Sequence, residues 1–241
     1  GDDYIINGQK CFITMAPLAD YITLFAKTDS GGRRGVDNIS CFIVDMKTPG
    51  ITLGANEKMM GQCGTPHADI YFDNVRVPME NRMGEEGKGF LSCMHILDLN
   101  RPTVAASAVG VAQGAFDIAV AYARDRKAFG KSIGDFQGVQ FMLADMHMQI
   151  QAARALLYKC TRAIDAGKLE RLSEMASMVK CFCTDMAMKV TTDAVQILGG
   201  HGYIRGNHVE RMMRDAKVLQ IYEGTNQIQR MVIARRALGF R

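Results

Sequence analysis

The 241-residue chain contains no tryptophan, only five prolines and only 7% aromatic residues. A core with so few rings must be filled by aliphatic and thioether side chains. Seventeen methionines supply the latter, which suits helices packed through adaptable surfaces. Long apolar runs are also missing. No stretch reads as the ~20 consecutive apolar residues of a membrane span, which speaks against a membrane partner. Charge of one sign is scarce as well. The formal net charge is +4, and bases alternate with acids in "RDRK" and "ERMMRD", which argues against a nucleic-acid surface. The seven cysteines (11, 41, 63, 93, 160, 181 and 183) are odd in number and follow no framework spacing, so they read as free thiols in a reducing compartment. Cys181 and Cys183 fall in an apolar helical run as packing residues. The sequence shows no metal-ligand spacing, no GxGxxG or P-loop after a strand, and no Ser–His–acid set. The start, "GDDYIINGQ", is acidic and polar, unlike a signal peptide.

What is present divides into two grammars. At 48% hydrophobic and 22% charged, the chain has the composition of an ordered globular protein with a sizeable core. Residues 1–83 read as strands. Asn7-Gly8 between two apolar runs predicts a hairpin, because a type I′ turn needs positive φ twice. "YITLFAKTD", "ISCFIVDM" and "ADIYFDNVRVP" follow, rich in β-branched and aromatic residues. From "GEEGKGF", a glycine-rich hinge at Gly84, residues 84–241 read as helices. The first carries small residues from Ala105 to Ala115. The second has an apolar stripe (Val139, Met142, Leu143, Met146, Ile150, Ala153, Leu157) with Asp135 as expected N-cap. The third runs from Ser173 as N-cap to a stop at Gly199-Gly200. A last helix is capped by Thr225 or Asn226. The expected fold is α+β by segregated domains: an antiparallel β-barrel or sandwich-like domain, then an up-down four-helix bundle.

Three segments are candidates for chemistry. Glu223, in "QIYEGTNQIQR", lies just before the last helix. It reads either as an acid complementing the helix dipole or as a general base. Tyr222 offers a wall and Gly224 a neighbour without Cβ. Desolvation would raise its pKa and the helix terminus would lower it; sequence leaves the balance open. "RDRKAFGKSIGDFQ" is a basic loop in which Arg126 suits a pyrophosphate and Phe129 a ring, or else it is a solvated turn. "QILGGHGY" is a helix stop, or a place for a cofactor's close approach, with His201 a turn residue.

Taken together, "FIT" at 12–14, "NVRVPMENRMGEEGKGF", "LDLNRPTVAA", "RKAFGKSIGDFQ", "DAVQILGGHGY", "VERMMRDAK" and "IYEGTNQIQR" resemble the acyl-CoA dehydrogenases in order and spacing. "LDLNRP" is closest to the medium-chain members. The resemblance implies a middle β domain and a C-terminal helical domain, with an N-terminal helical domain expected upstream of Gly1. It implies FAD, and oxidation of an acyl-CoA thioester to the trans-2-enoyl-CoA in fatty-acid β-oxidation. Glu223 would be the base that takes the α-proton. Phe12, Ile13 and Thr14 would meet the flavin ring. Arg126, Phe129, Gln137, the stretch Gln196, Ile197, Leu198, Gly199 and Gly200, and then Thr225, Asn226 and Gln227 would hold the rest of the cofactor. Asp98, Arg101, Tyr222 and Gly224 would line the substrate side. Many relatives have Trp where this chain has Phe12, and some carry a hydroxyl where it has Ala128. The resemblance further implies a homotetramer, an electron-transferring flavoprotein as acceptor, and a bacterial cytoplasm or mitochondrial matrix as location. An acyl-CoA oxidase-like enzyme and a non-catalytic helical scaffold or fragment are the alternatives.

Overall fold

The computed structural model describes residues 2–28 and 38–240. The chain separates into two compact units, Gly1–Ile96 and Leu97–Arg241.

The first unit is built from β1 (Asp3–Thr14), β2 (Tyr21–Lys27), β3 (Ile39–Asp45), β4 (Ile51–Leu53), β5 (His67–Pro78) and β6 (Arg82–Met83). They form two three-stranded antiparallel sheets, ordered β1-β5-β4 and β2-β3-β6. Leu24, Phe42, Val44, Ala68, Ile70, Phe72, Val75 and Val77 fill the space between strands. Alternation in β5 runs Ala68, Ile70, Phe72 and then resumes at Val75 and Val77, so its parity slips by one. The slip answers the first irregularity of register in β1, between Ile6 and Gly8.

The predicted hairpin at Asn7-Gly8 is therefore absent: β1 runs on as one 12-residue strand, and the extra residue of the register shift lies opposite, in β5 at Asp73-Asn74. Gly8 still uses glycine's access to positive φ (+143°), facing the bulge of the partner strand. Asn7 then locks the kink across the pair. Its Oδ1 accepts from the Asn74 backbone N–H at 2.8 Å, with Asn74 itself at φ +50°. A second bulge, between Lys10 and Ile13, puts Phe12 at φ +56°, 71% exposed. The Asp69 carboxylate opposite accepts from the Phe12 N–H at 3.0 Å and from Gln9 Nε2 at 2.8 Å.

The second unit holds most of α1 (Gly89–Asp125), a two-residue ribbon of β7 (Lys127–Ala128) and β8 (Lys131–Ser132), α2 (Gln137–Asp165), α3 (Leu172–Leu198), α4 (Gly200–Tyr203), α5 (His208–Leu219) and α6 (Asn226–Ala237). The alanine stripe of α1 (105, 108, 112, 115 and 119) is fully buried. It shares one apolar cluster with Met146, Ile150 and Ala153 of α2 and Cys183, Ala187 and Val190 of α3. Contrary to the sequence reading, α1 is long and apolar enough to cross a bilayer by length and composition alone. Its buried stripe belongs to the core of this unit. The last helix, α6, starts where expected with Thr225 as its N-cap, and α5 on the other side of Gln220–Thr225 is a further 12-residue helix that the sequence reading did not name. Caps shift too. Asp135 lies in a 3₁₀ turn capped by Ser132, so Phe136 is the N-cap of α2, and Arg171 rather than Ser173 precedes α3. Gly199 ends α3 at φ +58°, as its conformational freedom predicts.

Candidate active site

The loop Gln220–Thr225 carries two consecutive residues in the left-handed region, Glu223 at φ +53° and Gly224 at φ +88°. Glycine adopts this conformation freely; glutamate does so at a cost of about 1–3 kcal/mol and needs surroundings that impose it. Those surroundings are three side chains from different helices. Arg101 of α1 donates from Nε to the Glu223 carbonyl at 3.3 Å, and its Nη1 is paired with Asp98. Gln229 of α6 donates from Nε2 to the carbonyls of Gly224 at 3.0 Å and Glu223 at 3.3 Å. Lys180 of α3 donates from Nζ to the Gly224 carbonyl and to Asn226 Oδ1, both at 2.9 Å. Lys180 and Gln229 are fully buried and Arg101 nearly so.

The loop leaves the Glu223 carboxylate in an asymmetric position. Oε1 accepts from Asn100 Nδ2, whereas Oε2 is buried and has no hydrogen-bond partner among the described residues. Burial raises the carboxyl above its ordinary value, and the Asn100 hydrogen bond and the Arg101 and Lys180 cations only partly oppose it. Desolvation therefore prevails, which the sequence left open. The carboxylate has the properties of a general base: a free buried oxygen and a pKa moved toward neutrality.

Gly224 is essential to this arrangement. A Cβ there would stand 2.5 Å from Gln229 Nε2, at a φ that a side chain also disfavours. Gly224→Ala is expected to lower stability by about 1–3 kcal/mol. It should also displace the Gln229 bonds that hold Glu223. Chemical denaturation checks the first effect and activity the second.

Below the loop, Asp185 of α3 organises a polar knot. Burial would raise its carboxyl, but hydrogen bonds from Gln220, Asn226 and Arg230, with the Arg230 charge, outweigh burial and hold it below the usual range. Asn226, expected at the cofactor, is 2% exposed. Its amide bonds Asp185 Oδ1 at 2.6 Å and Thr184 Oγ1 at 2.9 Å, so the side chain anchors the loop to α3. Thr225 caps α6, its Oγ1 accepting from the Ile228 N–H at 3.4 Å.

The structure brings Asp98, Arg101, Tyr222, Glu223 and Gly224 to one end of the second unit; Tyr222 packs half-buried on the core. Asn100, Lys180, Gln229 and Asp185 belong to the same site and were not singled out from sequence. Lys180 had a signal: it occupies a buried position on the stripe of Ala176, Cys183 and Ala187, where an unpartnered charge would be costly.

The other expected residues lie elsewhere. Gln196–Gly200 follow Lys180 by 16 or more residues of helix, about 24 Å along α3. Arg126 and Phe129 lie beyond the far end of α1, where Tyr122 Oη contacts His201 Nδ1 at 3.3 Å. Their surface fits a flat, anionic dinucleotide. Phe129 is 95% exposed at φ +52°, Arg126 is exposed, and a Cβ on Gly199 or Gly200 would meet nothing within 4 Å. Gln137 opens α2 and Gln227 lies in the first turn of α6, both exposed, while Ile197 and Leu198 are buried in the core.

In the first unit, Thr14 Oγ1 lies 2.9 Å from Nε2 of buried His67, whose Nδ1 lies 2.8 Å from the Thr65 carbonyl. A carbonyl can only accept, so Nδ1 carries the proton. In the neutral ring Nε2 must then accept from Thr14, whose oxygen keeps its acceptor capacity.

Comparison with known proteins gives one consistent result. The family model described as "Acyl-CoA dehydrogenase, C-terminal domain" matches residues 87–238, and "Acyl-CoA dehydrogenase, middle domain" matches residues 1–75. The cyclohex-1-ene-1-carbonyl-CoA dehydrogenase of Syntrophus aciditrophicus is 50% identical over 238 residues, 99% of this chain and 57% of that protein. Subunit CarC of the caffeyl-CoA reductase–Etf complex of Acetobacterium woodii is 49% identical over 97% of this chain and 61% of its own length. The solved butyryl-CoA dehydrogenase of Megasphaera elsdenii superposes with a TM-score of 0.93 at 45% identity, covering 98% of this chain and 61% of that one. The chain thus spans about three-fifths of the length of the relatives it matches.

Proposed function

The chain belongs to the acyl-CoA dehydrogenase family, and from that premise we propose that it forms the catalytic part of a FAD-dependent enzyme that oxidises an acyl-CoA thioester to its trans-2-enoyl-CoA. The observation that carries the proposal is the Glu223 carboxylate, raised in pKa by burial, anchored through Oε1 and with Oε2 buried and unpartnered among the described residues. A thioester α-proton is acidified by its carbonyl, so one desolvated carboxylate suffices to remove it. FAD, when bound, supplies the acceptor for the β-hydride.

Each site residue then has a task. Glu223 takes the α-proton. Gly224 and Tyr222 admit the thioester and wall its acyl chain. Arg101, held by Asp98, supports the base from beneath through the Glu223 carbonyl. Phe12, Ile13 and Thr14 would face the ring of the cofactor. Arg126, Phe129, Gln137 and Gly199-Gly200 would hold its pyrophosphate and adenosine. The roughly 24 Å of α3 between Lys180, which holds the Glu223 loop, and Gln196 beside the glycine pair favours a cofactor shared between neighbouring subunits, as in a homotetramer. An electron-transferring flavoprotein as acceptor accords with the complex that contains the Acetobacterium relative.

The test uses the full-length protein loaded with FAD and mixed anaerobically with straight-chain, alicyclic and aromatic acyl-CoA esters. At least one ester should bleach the flavin's visible absorbance and yield the 2-enoyl-CoA. A FAD-loaded protein that no ester bleaches would refute the reading. Rapid reoxidation by air would replace the flavoprotein partner with dioxygen.

A further inference from the structure

We propose that Asn100 is a positioning residue that fixes the rotation of the Glu223 carboxylate and sets how low a pH the base tolerates. The inference rests on the reading of Glu223 as that base. An ionised carboxylate offers only acceptors, so the Asn100 amide must present Nδ2 to it. That bond engages Oε1 and fixes the rotation of the carboxylate, while Oε2 stays buried without a partner among the described residues. When the base acts, the substrate Cα–H bond breaks, a carboxyl O–H bond forms on Glu223, and the electron pair left on carbon becomes the C=C bond, with FAD as the acceptor that would take the β-hydride. Asn100 can keep donating to Oε1 before and after the transfer.

The position of Asn100 follows from its helix. It directly precedes Arg101 in α1, so side chain 100 meets the carboxylate while side chain 101 meets the backbone carbonyl of the same residue. The charged groups facing Glu223 are Arg101 from α1, paired with Asp98, and Lys180 from α3; Arg230 of α6 is paired with Asp185. The two cations are held by bonds to loop carbonyls, to Asp98 and to Asn226. Asn100 alone among these groups makes a hydrogen bond to the carboxylate in the described residues, so changing it alters the base and leaves the loop's anchors in place.

The experiment is the pH dependence of flavin reduction in the FAD-loaded full-length protein, compared with Asn100→Leu, Asn100→Asp and Asn100→Gln. Alongside it, the carboxyl stretch of Glu223 is titrated by infrared difference against Glu223→Gln in substrate-free protein. Leu has similar size and no donor, so the acid limb and the infrared midpoint should both move up by about one pH unit. Asp adds a second negative charge beside Oε1 and should move both further. Gln retains an amide and should stay closer to wild type. If both midpoints are unchanged in the Leu and Asp variants, the proposal for Asn100 is wrong while Glu223 remains the base. If Glu223→Gln keeps wild-type turnover, the base assignment itself fails, and this inference with it.

Discussion

Replacing Glu223 by Gln in the full-length protein should lower the rate of flavin reduction by an acyl-CoA at least ~100-fold while leaving the FAD content unchanged, the scale expected when a general base is lost. The substitution is nearly isosteric and keeps an oxygen that can accept from Asn100. It removes the basic carboxylate, whose Oε2 the fold buries and leaves unpartnered among the described residues. The loop should survive the change, because Arg101, Lys180 and Gln229 hold it through backbone carbonyls and not through the carboxylate. Stopped-flow absorbance at equal flavin loading is the measurement, and a variant within a few fold of wild type would reject the assignment. The same site predicts a direction with pH. Burial raises the carboxyl above its ordinary value, so the rate falls as pH drops through that raised pKa and the base becomes protonated.

The second large effect concerns Lys180. Burial pushes its ammonium down to about 8 from the ordinary 10.5, even though Asp185 and Glu223 favour the charged form. Below pH 8 the lysine is protonated in both folded and unfolded chains, and the folded state bears the full cost of the buried charge. Between 8 and 10.5 the unfolded chain binds more protons than the folded one, so stability rises with pH; above that window both forms are neutral. Wild type should therefore gain on Lys180→Met across this window, by an amount of the order of 3 kcal/mol. Near neutrality methionine removes a buried charge but also two hydrogen bonds, and these effects oppose each other. The pH trend is thus more diagnostic than any single value. Urea midpoints of both proteins across the window are the check, and a flat difference would contradict a buried cation at this position. Removing the lysine should also raise Glu223 further, moving the acid limb of the rate upward.

Much of the architecture was legible in the chain because its two periodicities are local. Alternating apolar residues mark β2, β3 and β5, and the stripes at three- and four-residue spacing mark α2 and α3. Asn7-Gly8 shows where local reading stops. The pair suits a tight turn, and only pairing with β5, which takes the bulge at Asp73-Asn74, keeps it inside a straight strand. The last helix was legible from its Thr225 cap, whereas α5 was not read as a helix of its own, and the loop between the two is held by contacts with α1 and α3.

The sequence by itself determined the order of a β unit and a helical unit, the alanine stripe of α1, the stop at Gly199 and a lone glutamate between tyrosine and glycine. These follow from backbone propensity and side-chain period, which act over a few residues. The tertiary structure decided what that glutamate is. Asn100, Lys180 and Gln229 lie 123, 43 and 6 residues away in sequence and converge on it only when three helices pack. Desolvation and hydrogen bonding at close range depend on that convergence, and they turn an acid outside a helix start into a buried carboxylate with one free oxygen.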